Sequence, residues 1–103
     1  MAWIYLLFAG LLEIVWAVAM KQSAGFTRLW PTAVMGVSMV GSFGLLALAM
    51  RTLPLGTAYV IWTGIGAVGA FLVGFMFLGE MVTTARVFAA VLIVAGLVTM
   101  KLA

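Results

Sequence analysis

Glu13 is one of only two acidic side chains in a 103-residue chain, and it interrupts an apolar stretch running from about Trp3 to Met20. At 1.5 Å per residue it lies about 10–15 Å from either end of that stretch. A carboxylate at such a depth in a bilayer costs at least about 2.5–3.5 kcal/mol on an insertion scale, and ionisable groups there mark ion paths or proton relays. Trp16 follows three residues later on the same helical face. Mid-membrane Trp is unusual, because the ring prefers the interfaces. Its indole N–H can donate to a carboxylate and its face can stack on a flat cation, although plain packing is the simpler role. Tyr59, Trp62 and Gly66 recur at i, i+3 and i+7 and share a face of a later segment. They bring a hydroxyl and two further π faces, or only a packing stripe. Ser42, one turn beyond Ser38, adds a hydroxyl that in membrane helices often bonds its own backbone. The chemistry within reach of this set is the binding of a proton or an organic cation.

Other chemistries lack their residues. The chain has no Cys and no His, so disulfides, thiol chemistry, zinc clusters and imidazole acid–base work are excluded. No catalytic constellation, metal site or cofactor is expected. The five bases Lys21, Arg28, Arg51, Arg86 and Lys101 are scattered, so they form no patch for nucleic acid. Gly64, Gly66 and Gly69 spell G-x-G-x-x-G, but a dinucleotide fingerprint needs a preceding strand and a βαβ context. Inside an apolar segment these glycines instead weaken a helix, let it bend and make room for close neighbours. Gly66, Ala70 and Gly74 form a small-residue ridge suited to helix contact.

The positioning elements follow from composition. Hydrophobic residues are 68% of the chain and charged residues 7%, against about 45–50% and about 25% in soluble domains. The solvent for this chain is a lipid bilayer. Spans of about 20 residues fit at about 3–20, 30–50, 57–78 and 85–101. Breaks fall at Lys21–Arg28, Arg51–Gly56 and Gly79–Thr84. Only helices and closed barrels satisfy their backbone without water, and these segments lack the alternation of barrel strands. The expected fold is an all-α membrane protein, one domain of four transmembrane helices spanning 1–103. The first segment reads as a span and not a signal peptide, since no Lys or Arg precedes it and Glu13 interrupts it.

Four spans put the N-terminal amine, Arg51 and Lys101 on one side and Lys21, Arg28 and Arg86 on the other. This near balance gives the positive-inside rule little to act on. Either details beyond charge set one orientation, or the chain inserts both ways and pairs antiparallel with itself. Eight helices in an antiparallel homodimer would reproduce the inverted-repeat plan that many transporters hold within one chain. Two copies of Glu13 facing one site would titrate as a unit. Ala89 and Gly96, seven residues apart on the last span, offer a soft seat for a partner.

Together these residues resemble the small multidrug resistance family over essentially the whole chain. The resemblance rests on the length, the four spans, the single membrane-embedded Glu13, Lys21 closing the first span, Gly25-Phe26-Thr27-Arg28 and the run from Leu53-Pro54-Leu55-Gly56 through Trp62-Thr63-Gly64-Ile65-Gly66. The guanidinium-exporter subtype is matched by Glu13-Ile14-Val15-Trp16-Ala17, Ser42, Gly56-Thr57, Thr63 and Lys101. Val60 stands where an Ala is common, Phe43 adds bulk beside Ser42, and the last span lacks a clean Gly pair. The resemblance implies a multi-pass protein of the bacterial inner membrane, working as an antiparallel, dual-topology homodimer. It implies proton-coupled export of guanidinium or a related organic cation. Glu13 and Ser42 would then bond the cation, Trp16, Tyr59 and Trp62 would line the site, and Gly10 would give space beside Glu13. A multidrug exporter of quaternary and lipophilic cations is the nearest alternative, and a non-transporting membrane subunit is another.

Overall fold

A computed structural model describes residues 1–103 and shows four helices: α1 (Ala2–Gln22), α2 (Leu29–Ala49), α3 (Leu55–Phe77) and α4 (Thr84–Leu102). Each is long and apolar enough to cross a membrane. At 1.5 Å per residue they reach about 28–35 Å, against a hydrocarbon core of about 30 Å. The chain is thus a multi-pass membrane protein by the length and composition of its helices.

The helix ends have local causes. Ser23 stops α1: its hydroxyl donates to the Met20 carbonyl at 2.7 Å and accepts from the Phe26 amide at 3.1 Å. The chain then turns through Ala24, Gly25 and Phe26, with φ of 51°, 74° and 68°. Only Gly takes that region freely, and the Ser23 carbonyl holds the turn by accepting from Thr27 and Arg28 at 2.8 and 3.1 Å. Pro31 sits in the first turn of α2, where its missing N–H has no partner to lose. Pro54 caps α3, so Leu55 and Gly56 already belong to the helix, two residues ahead of the start at Thr57 expected from hydropathy. Thr83 caps α4, its hydroxyl accepting from the Arg86 amide at 3.2 Å.

α1 packs along α2 and α3, whereas the α4 backbone runs close to α3 alone, and α4 buries none of its residues. The result is a slab of 40 × 34 × 16 Å. Its apolar core joins Leu6 and Ala9 of α1, Leu46 and Ala49 of α2, and Ala58, Ile61 and Trp62 of α3. These residues lie towards the end that carries the N-terminus and the α2–α3 turn. Lys101 stands over the Trp3 ring at that end, 5.0 Å from its centroid. At the opposite end Lys21 meets Glu80. Glu13 lies between the two ends, just beyond the core.

Candidate functional site: a carboxylate within the membrane

The glycines of α3 determine how closely α1 approaches. A Cβ on Gly66 would collide with the Glu13 carboxyl, and one on Gly69 would collide with the Ile14 side chain. Glu13 therefore lies directly on the backbone of α3. Gly10, expected to make room beside Glu13, does something else: its missing Cβ admits Ile65. The reason is register. α1 and α3 run parallel, so Gly10, Glu13 and Ile14 meet Ile65, Gly66 and Gly69 in that order. The space for the carboxyl belongs to Gly66. Gly64 faces the other way and receives Leu97 of α4. α3 is one unbroken helix from Leu55 to Phe77, and its glycines serve the close approach of α1 and α4.

Ser42 is fully buried. Its hydroxyl donates to the Ala9 carbonyl at 2.6 Å and accepts from the Trp62 indole N–H at 2.9 Å. One hydroxyl thus joins α1, α2 and α3 one turn before Glu13. Removing it leaves the Trp62 N–H buried without a partner, which costs about 1–3 kcal/mol. Ser42→Ala is accordingly expected to lower stability by about that amount, read as the midpoint shift in detergent unfolding. Ser42→Thr, which keeps the hydroxyl, is expected to lose less.

Around this link the aromatic rings form a chain. Phe43 stands edge-on to Trp16 and to Trp62, with centroids 6.4 and 5.7 Å apart, and Tyr59 tilts against Trp62 at 5.6 Å. Phe43 is thus the ring that joins the two tryptophans. Its bulk beside Ser42 was visible in the sequence, but spacing did not place it between the two tryptophans. Tyr59 is half exposed, lines the groove between α3 and α4, and makes no hydrogen bond.

Two polar atoms stand out. Glu13 Oε1 and Trp16 Nε1 are both buried and lack a hydrogen-bond partner. The tryptophan does not donate to the carboxylate, and neither Ser42 nor Tyr59 does. A buried unsatisfied group costs about 1–3 kcal/mol, more if charged. The chain therefore holds an acceptor and a donor on one face of α1, the acceptor against Gly66 and the tryptophan ring beside Phe43. A proton, a cation with N–H donors or a second copy of the chain would satisfy them. There is no cluster of acids, His or Cys able to hold a metal.

Four membrane-spanning helices around an intramembrane carboxylate define a class of small multi-pass membrane protein. A family profile described as Small Multidrug Resistance protein matches residues 1–93, and the chain belongs to that family. It is 54% identical over 102 residues to a protein named guanidinium exporter from Citrobacter freundii, covering 99% of this chain and 97% of the relative. It is 56% identical over 102 residues to a guanidinium exporter of Salmonella typhimurium, with the same coverage. A guanidinium exporter of Yersinia pseudotuberculosis is 52% identical over 103 residues, covering 100% of this chain and 99% of the relative.

Proposed function

We infer that the protein exports guanidinium in exchange for protons across a bacterial inner membrane. The observation that carries this reading is the buried, unpartnered Glu13 Oε1 beside the equally unpartnered Trp16 N–H. Guanidinium is planar and offers N–H donors on several edges, which suits carboxylate oxygens. Relatives named guanidinium exporters, alike over the full chain, support the choice of cation.

The working unit in this reading is an antiparallel homodimer. α4 lies along α3 and leaves Phe88, Val91, Leu92 and Val98 exposed. Ala89 and Gly96 are open among them. The near-even split of basic residues lets the chain insert either way. Two Glu13 carboxylates then share one site. Trp16, Tyr59 and Trp62 line it, and Ser42 holds Trp62 in place or exchanges its bond for one to the cation. Protons or guanidinium occupy the carboxylates, never both fully. The dimer alternates the site between the two sides in either loaded state, and the proton gradient drives the cation out.

Competition fixes the sign of a pH effect. The cation binds the ionised carboxylates, so binding expels protons and acid weakens it. For each proton displaced, the apparent Kd is expected to rise by up to about tenfold per pH unit lost. Calorimetric titration with guanidinium across a pH series checks this, with proton release read from buffers of different ionisation heat. An affinity independent of pH would contradict coupling through Glu13.

The ring chain Trp16–Phe43–Trp62–Tyr59 favours a second reading, export of quaternary or lipophilic cations, which lack donors and seek aromatic faces.

A further inference from the structure

Glu80, the second acid of the chain, lies outside the spans, in the turn between α3 and α4. The amides of Leu78 and Glu80 both donate to the Gly74 carbonyl, at 3.2 and 3.0 Å. Gly79 between them has φ +69°, a conformation that favours glycine. This hook folds the Glu80 side chain back onto α3, against Gly74, where a Cβ would collide with its carboxyl. From that seat Oε2 reaches the Lys21 ammonium in the last turn of α1 at 3.1 Å. Arg86, the nearest other base in sequence, is bonded to the Met81 carbonyl at 3.0 Å.

The pair spans a junction with little else to hold it. α1 and α4 meet only at the far end, where Lys101 stands over Trp3, and the apolar core that binds α1 to α3 gathers at that same end, opposite the pair. Both partners are exposed, at 63% and 46% of their side chains, so the contact is weak enough to open readily.

We propose that the Lys21–Glu80 pair, seated on Gly74, is a latch that closes in one of the two conformations of each copy and sets how fast the copies exchange conformations. The proposal rests on the antiparallel dimer inferred above. In such a dimer one copy adopts each conformation, and exchange swaps their roles. The two end states are then equivalent, so a contact made in only one conformation is present once in either state. Removing it leaves the populations equal. It acts on the rate, because the pair in one copy opens before its counterpart in the other copy closes.

The test is the exchange rate between the two sets of amide NMR signals of the purified dimer in bicelles, alongside guanidinium-driven charge movement in liposomes. Lys21→Met and Glu80→Gln are expected to speed exchange about two- to fivefold, the range for an exposed ion pair, with guanidinium affinity unchanged. Gly74→Ala is expected to match them, because it removes the seat and alters no charge. The double exchange Lys21→Glu with Glu80→Lys is expected to return the rate towards wild type. Single variants exchanging at the wild-type rate would overturn the latch while transport and two signal sets leave the export reading standing. So would a faster rate that the double exchange fails to restore. One set of signals from the wild-type protein would overturn the antiparallel reading and the latch together.

Discussion

Replacing Glu13 by Gln is expected to abolish proton-coupled transport while leaving the helices and the dimer intact. Gln has the shape of Glu and can still form hydrogen bonds, so packing against Gly66 is preserved. It cannot carry charge or exchange a proton for a cation. Each charge-assisted hydrogen bond to a bound guanidinium is worth about 1.5–3 kcal/mol. Losing one from each of two copies lowers affinity by about 100-fold or more. Guanidinium titration together with size-exclusion and circular dichroism profiles separates this result from misfolding. Robust antiport by the variant would remove Glu13 from the mechanism.

Gly66→Ala is expected to produce a loss of similar character by displacement instead of neutralisation. The added methyl occupies the space of the Glu13 carboxyl. Ala is a better helix former than Gly by about 0.8–1.0 kcal/mol, so α3 itself is not weakened. The flexible Glu13 side chain has to swing away, carrying its oxygens out of the geometry shared with Trp16. Guanidinium affinity is expected to fall about tenfold or more, the equivalent of 1.4 kcal/mol, with the protein still folded. Gly36→Ala and Gly44→Ala serve as controls, because nothing lies within 4 Å of a Cβ at either position. Loss in all three variants would point to α-helix stiffness. Loss confined to Gly66→Ala would point to the carboxyl seat.

The helices were legible in the sequence because their hydropathy leaves no other solvent, and Glu13 was legible because a charge in an apolar span is costly. Trp16, three residues on, was visible through the same helical repeat. What spacing along one helix does not carry is register between helices. The family resemblance put room beside Glu13 at Gly10, whereas parallel packing of α1 on α3 sets the carboxyl against Gly66. The bond from Trp62 to Ser42, and from Ser42 to the Ala9 carbonyl, was hidden for the same reason: it joins positions 20 and 33 residues apart. The hook that sets Glu80 on Gly74 was also out of sight, since Gly79 and Glu80 read only as a break between spans.

The most direct measurement is substrate-evoked charge movement by the purified protein alone in liposomes, guanidinium against tetraethylammonium, with Glu13→Gln as control. The predicted result is a current with guanidinium that is larger than that with tetraethylammonium and absent in the variant. A current mainly with tetraethylammonium would establish the multidrug reading instead. Silence with both cations, from a folded dimer, would contradict a self-sufficient exporter built on Glu13.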